Sequence, residues 1–273
     1  MSYDQNALTY DELKRLDDRV GPIKGWDFSR MRTIREPVPW DYHEVARRYL
    51  SAGSRVLDVG TGGGEQFLRL APYFGSGVGA DPDTGMLDAA RENAVAAVAA
   101  GLPEGRVTFE PMPEDALPFQ DDSFDVVLLR HAPVLTNEVL RVLRPGGVFV
   151  TQGVGRRNMR NICRVFGVTA YGEALPGPPR GAPAPHDATP VGESFDVAGR
   201  RATVLVRGEY DVRYFVRDAE SLLFWLKALS HLASGGFTIE RHWQQVAQII
   251  RNSSTPDGIQ TNEHRSLLIL RKE

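Results

Sequence analysis

One stretch constrains the fold of this chain more than any other: Val56-Leu57-Asp58-Val59 running into Gly60-Thr61-Gly62-Gly63-Gly64-Glu65. The apolar run, extended back to residue 54, reads as a buried strand. Four glycines in five positions then let the backbone take torsions closed to other residues and let a ligand lie against the main chain. Residues 66–71 read as the helix that follows. Short apolar runs at 78–80, 106–109, 124–129 and 148–151 repeat the strand signal. Helical patterns at 85–100 and 138–143 separate them, the second stopped by Pro145-Gly146-Gly147. Apolar strands alternating with helices predict a parallel sheet covered on both faces.

The flanks carry weaker signals. A helix over 9–20 opens on a Thr9 cap and breaks at Gly21-Pro22, and Asp41 caps a second over 42–50 that Gly53 ends. Residues 172–192 are dense in Pro, Gly and Ala and read as a long loop. Strands follow at 203–206 and 212–216, then an amphipathic helix at 221–232 and a last strand at 267–270. The expected organisation is an N-terminal helical segment (1–52) over the active site, a ligand-binding core (53–154), and a C-terminal part (155–273) with the long loop, acceptor-side helices and closing strands.

Three ligand classes use glycine-rich strand–turn–helix loops: nucleoside triphosphates, dinucleotides and S-adenosylmethionine. A phosphate-cradling loop ends in Gly-Lys-Ser/Thr, where this chain has Glu65-Gln66. A dinucleotide loop wants glycine where Glu65 stands, and an anion there repels pyrophosphate. Asp58 at the strand end suits a ligand that carries positive charge, such as the ammonium and sulfonium of S-adenosylmethionine. Asp81 closes the next strand, 23 positions after Asp58, where a carboxylate accepts both hydroxyls of a ribose. Met86, one turn further, is a candidate for packing on adenine or for plain core.

Composition narrows the partners. With 32 Lys and Arg against 35 Asp and Glu the formal charge is -3, so no basic field invites nucleic acid. Arg156-Arg157 and Arg200-Arg201 are too short to reverse that. The single cysteine, Cys163, excludes an internal disulfide and a multi-cysteine zinc site, and reads as a buried thiol. No metal is expected. No apolar stretch reaches the ~18 residues of a membrane span, and the N-terminus has no signal-peptide pattern; the expected location is the cytoplasm.

Four motifs occur in order: LDVGTGGGE; Asp81 followed by Gly85-Met86-Leu87; Leu117-Pro118-Phe119 with Ser123-Phe124-Asp125; and Arg141-Val142-Leu143-Arg144-Pro145-Gly146-Gly147. Together, over roughly residues 40–153, the chain resembles class I S-adenosylmethionine-dependent methyltransferases, and among them the ubiquinone/menaquinone-biosynthesis C-methyltransferase-like group. The resemblance implies a Rossmann-like α/β fold, a seven-stranded sheet with six strands parallel and the last antiparallel. Helices would cover both faces, with the cofactor across the strand carboxyl ends. It implies methyl transfer to an O, N or C nucleophile of a small molecule, in secondary metabolism among other settings, with S-adenosylhomocysteine as product. Its cofactor contacts would fall on Asp58, Gly60, Thr61, Gly62, Glu65, Asp81, Pro82, Met86, Glu114, Asp115, Ala116 and Arg130. Pro113 departs from the pattern, standing where the group carries an adenine-binding Asp; Glu114 and Asp115 are its neighbours.

His131, directly after the fourth strand of the pattern, is the candidate general base or else a group that shapes the pocket. Trp26 and Tyr42 are candidates for lining the acceptor site or for core packing, and Trp225 for core rather than acceptor stacking. His43, His186, His231, His242 and His264 carry no motif. Arg130-His131-Ala132-Pro133 lacks the Asn/Asp-Pro-Pro-Tyr/Phe stretch of enzymes that methylate exocyclic adenine amines. Two rivals stay open: a protein that binds S-adenosylmethionine without methylating, and, less favoured because of Glu65, an NAD-dependent oxidoreductase.

Overall fold

The computed structural model describes residues 8–23, 28–133, 135–169 and 187–273. Along the chain the elements are α1 (Tyr10–Val20), β1 (Thr33–Arg35), α2 (Tyr42–Arg47), β2 (Arg55–Val59), α3 (Glu65–Leu70), β3 (Ser76–Asp81), α4 (Thr84–Ala99), β4 (Val107–Pro111) and β5 (Phe124–Arg130). They continue with α5 (Thr136–Val142), β6 (Leu143–Val154), α6 (Arg160–Val165), β7 (Asp187–Val197), β8 (Arg200–Val216), α7 (Ala219–Ala228), α8 (Ile239–Ser253), β9 (Ser254–Thr255) and β10 (Gly258–Lys272). Among the described residues no helix is long and apolar enough to cross a membrane.

The chain divides into two compact units. One holds residues 8–23, 28–37, 155–169 and 211–264; the other holds 38–133, 135–154, 187–210 and 265–273. The three consecutive blocks expected at 1–52, 53–154 and 155–273 do not coincide with them. The C-terminal block is shared between the units, because its strands complete the sheet of the second.

In that second unit β4, β3, β2, β5 and β6 form a parallel core in that spatial order. The order reverses between β2 and β5: β2 leads through α3 to β3 on one side, β5 through α5 to β6 on the other. Right-handed crossovers then put α3 and α4 on one face and α5 on the opposite one. Buried strand residues such as Val56, Leu57, Val127, Leu129 and Phe149 are wholly enclosed, as a sheet covered on both sides requires.

The Rossmann-like class is as expected; the strand count is not. Among the described residues the sheet has ten strands rather than seven, and five rather than six are parallel. After β6 no further parallel strand is added. β10 pairs antiparallel with β6 (Leu268 opposite Thr151), and β7 and β8 form an antiparallel hairpin. Ala198 (φ 48°) and Gly199 (φ 76°) turn that hairpin, both left-handed, which matches the twist of the strands they join.

Three sequence readings are corrected here. The strands expected at 203–206 and 212–216 are one continuous β8, carried through Gly208 by its pairing partners. Residues 187–192 of the expected loop belong to β7, whose backbone pairs with β8 despite the local Pro and Gly; the remainder of that loop up to residue 186, with His186, lies outside the described residues. At Leu143–Gly147 the expected helix stop is already the start of β6.

The first unit is built around helices. α1 opens with a capping box in which Thr9 Oγ1 accepts from Glu12 N and the Glu12 carboxylate accepts from Thr9 N. Its apolar stripe, Leu13, Leu16 and Val20, joins a core with Leu222, Leu223 and Leu226 of α7 and Val246 and Ile250 of α8. Trp225 belongs to this core, tilted against Tyr214 at 5.6 Å. Cys163 is buried there too, its thiol pushed up to about 11 by burial. The helix expected over 221–232 stops at Ala228, and residues 230–232 make a separate 3-10 turn.

Candidate functional site

Open parallel sheets bind ligands beyond the carboxyl ends of their strands, where the order of connection reverses. In this chain that point lies between the ends of β2 and β5. The glycine turn leaves β2 here: Gly60 N and Thr61 N both donate to Ala80 O of β3 (2.8 and 3.1 Å), so the turn is folded over the neighbouring strand end. Gly60 (φ 69°) and Gly64 (φ 74°, the N-cap of α3) both need glycine. A Cβ on Gly60 would stand 2.5 Å from Ala132 Cβ and one on Gly64 2.8 Å from the Phe109 ring. Gly60 therefore packs against the segment after β5 and Gly64 against β4, neither with room for a Cβ.

Two carboxylates face this turn. Asp81, buried at the tip of β3, accepts from Gly62 N (2.8 Å) and Asp83 N (3.0 Å), one bond to each oxygen. A carboxylate offers about four lone-pair positions, so two remain for a ligand's hydroxyls. Asp58, buried at the end of β2, is pushed up to about 7, chiefly by loss of hydration; Thr61 and the Arg130 charge act to lower it, and Asp81 to raise it further. A carboxyl in this state gains most from an incoming cation. Met112 N donates to Asp81 O (3.2 Å), bringing the start of the 112–116 segment to the same strand tip. Leu117 ends that segment, its N–H donating to Glu138, whose carboxylate is clamped by Arg141.

On the β5 side Arg130 ends the strand and acts electrostatically on Asp58, Tyr42, His43 and His131. Tyr42 heads α2, positioned by the Asp41 cap that accepts from His43 N and Glu44 N. Its hydroxyl is buried without a hydrogen bond of good geometry, and burial, with Asp58 beside it, pushes its pKa well above that of an ordinary tyrosine. His131 sits at φ 61°, a left-handed torsion rare for a residue with a side chain. It is solvent-accessible, yet its imidazole is held well below the ordinary range, by burial first and then by Arg130 and Arg265. Beside it Trp40 Nε1–H donates to Gln152 Oε1 (2.9 Å), and Gln152 Nε2 lies 3.3 Å from His131 Nε2.

The structure thus gathers Asp58, Gly60, Thr61, Gly62, Asp81, Arg130, His131 and Tyr42 at one end of the sheet. Glu65 heads α3, half-buried, and Met86 is half-buried on the first turn of α4 while its neighbour Leu87 is the enclosed one. Pro82 is exposed next to Asp81. Glu114 and Asp115 are exposed and Ala116 half-buried. Trp26 lies outside the described residues. Sequence reasoning missed Trp40, Gln152, His43 and Arg265 as members of this site. Gln152 carried the one signal available, a polar residue directly after the apolar run 148–151; the others reach the site through pairing and turns that no local pattern announces. Among the described residues no three His, Cys, Asp or Glu side chains gather as metal ligands would.

Residues 57–151 match a family described as a methyltransferase domain. The chain is 38% identical over 152 residues to the ubiquinone/menaquinone biosynthesis C-methyltransferase UbiE of Geobacter sulfurreducens, covering 52% of each. It is 36% identical over 157 residues to the demethylmenaquinone methyltransferase of Clavibacter sepedonicus, covering 54% of each. The chain spans about half the length of these curated relatives. Among solved structures the YcgJ protein of Bacillus subtilis superposes with a TM-score of 0.51 at 18% identity, covering 85% of this chain and 95% of that one. At that identity the likeness speaks for the fold alone.

Proposed function

We propose, from the match of residues 57–151 to a methyltransferase domain and the likeness to UbiE, that this chain is a class I S-adenosylmethionine-dependent methyltransferase of the UbiE-like group, transferring a methyl group from S-adenosylmethionine to a small-molecule acceptor. One observation carries the reading. A buried Asp58 held near neutrality and a backbone-anchored Asp81 stand at adjacent strand tips around a turn in which an added Cβ at Gly60 would clash. Asp58 would pair with the cofactor's cationic end, and Asp81 would accept the ribose hydroxyls on its two remaining sides. Met86 and the 112–116 segment would border the adenine. Bound there, the cofactor supplies an activated methyl group; the chain's own part is to orient it, keep water away and hold the acceptor in line.

Both relatives are named for steps on quinone-pathway small molecules, which supports an acceptor of that size. A formal charge of -3 gives little attraction for a polyanion. Whether O, N or C receives the methyl is a property of the acceptor, and the reaction is assigned to the cytoplasm.

Calorimetric titration with S-adenosylmethionine, S-adenosylhomocysteine and NAD tests the reading. Saturable binding of the first two with none of NAD is the expected result. Binding of NAD with silence toward S-adenosylmethionine would overturn it.

A further inference from the structure

Hydrogen-bond chemistry at Trp40, Gln152 and His131 leaves little freedom. An indole Nε1–H is a donor and nothing else. Because Trp40 Nε1–H points at Gln152 at 2.9 Å, the atom facing it has to be the amide oxygen. The other end of the same amide, Nε2, is then a donor, and it faces His131 Nε2 at 3.3 Å. Two N–H groups cannot point at each other, so His131 Nε2 is the acceptor and the ring proton sits on Nδ1.

The arrangement is held from several sides. Trp40 is buried and packs edge-on against Tyr210 at 4.8 Å. Gln152 is buried on β6, directly opposite Arg130 in the parallel pairing of β5 with β6. His131 N donates to Gln152 O (2.9 Å), so backbone and side chain of one glutamine grip the same histidine. The left-handed torsion at His131 turns the chain out of β5 at this point.

We propose that Trp40 and Gln152 are positioning residues that fix His131 in its Nδ1–H tautomer, so that the ring presents the methyl acceptor with a hydrogen-bond donor and not with a base. The inference rests on the methyltransferase reading for the word acceptor, and on the side-chain geometry alone for the tautomer. It replaces the general-base role that the sequence suggests for His131: the lone pair a base would use is on Nε2, and Gln152 already occupies it. The charges acting on the ring, Arg130 on β5 and Arg265 on β10, are both positive and oppose its protonation, in agreement with a neutral donor.

Long-range proton–nitrogen correlation spectra of the histidine-labelled full chain, saturated with S-adenosylhomocysteine, read the tautomer directly. The His131→Gln spectrum assigns the signal. The expected wild-type result is a neutral ring with its proton on Nδ1. Gln152→Glu replaces the amide donor by a carboxylate that accepts from both neighbours, and moves the proton to Nε2. Trp40→Phe removes the group that orients the amide and gives a mixture of tautomers. A wild-type ring protonated on Nε2, or a Gln152→Glu ring still protonated on Nδ1 alone, would overturn the proposal. The wild-type measurement stands even if a variant fails to fold. Wild-type titration with S-adenosylmethionine separates the two failures: binding with the wrong tautomer sinks this inference, and the right tautomer without binding sinks the methyltransferase reading.

Discussion

The two units bury polar groups in contrasting ways. In the helical unit, where Gln245 Oε1 is buried without a hydrogen bond of good geometry, a cluster between α6 and β10 is paired throughout: Asn158 Oδ1 accepts from His264 N (3.0 Å), and Asn262 Nδ2 donates to Arg157 O (2.7 Å) and Asp211 Oδ1 (2.8 Å). Thr261 Oγ1 donates to Asn161 Oδ1 (2.6 Å). These bonds stitch α6 and the residues just before it to β10. In the sheet unit Tyr42 Oη, His43 Nε2 and Thr151 Oγ1 are buried without hydrogen bonds of good geometry, and Asp58 is kept near neutral pH by its surroundings. Leaving a buried polar group unpaired costs roughly 1–3 kcal/mol. Such costs gathered at one set of strand ends agree with the proposed cofactor site; the paired cluster between α6 and β10 is a structural joint.

The largest expected effect tests the structural half of this contrast. Leu222 is fully enclosed in the helical core. Leu222→Ala should lower stability by about 2–5 kcal/mol, read from urea unfolding, while the affinity of the folded protein for S-adenosylmethionine stays within about twofold. A large loss of affinity at full folding would break the division of roles.

Asp58→Asn probes the other half. It should weaken S-adenosylmethionine binding about 10- to 100-fold, as expected for one charge-assisted interaction, with little loss of thermal stability because a poorly hydrated carboxylate is removed. Wild-type affinity should also depend on pH in a definite direction. Below pH 7 the free protein carries a proton on Asp58 that has to leave before the carboxylate can pair with a cation. Affinity should therefore rise about tenfold from pH 6 to pH 8 and level off. The Asn variant should have a flat profile, and a slope that survives the substitution would assign it to another group.

The smallest effect concerns the clamp on the 112–116 segment. Arg141 hydrogen-bonds Glu138 and holds its carboxyl down to about 2. A carboxyl lowered on folding stabilises the protein above its unfolded value, near 4.5, and that contribution disappears as pH falls toward 2. Both side chains keep some contact with water, so solvent screening limits the contribution to about 1 kcal/mol. Comparing wild type with Glu138→Gln by urea unfolding at pH 6 and pH 3 should show the difference shrinking at the lower pH. A constant difference would mean that the clamp acts through shape alone.

Much of the sheet unit can be read from its sequence because its elements announce themselves locally. Asp41 caps its helix as its side chain dictates. The apolar runs of β2, β3 and β5 are short and bounded, and the glycine turn has few physical alternatives. The helical unit and the sheet's antiparallel side were less readable. α8 has its buried residues, Ile239, Val246, Ala247, Ile249 and Ile250, at helical spacing, but the stretch from Glu240 to Gln245, polar except for Trp243, stands among them. β7 contains Pro190 and Gly192, which argue against a strand until β8 is there to pair with it.

The sequence by itself determined the parallel core, the glycine turn at its switch point and the acidic pair Asp58 and Asp81, because strand periodicity, glycine torsions and charge act within a few residues. Tertiary structure alone decided the number of strands, the state of Asp58 and which nitrogen of His131 carries the proton. Pairing, burial and the Trp40–Gln152–His131 contact join residues up to 112 positions apart, and the energies of such contacts exist only once the chain has brought them together.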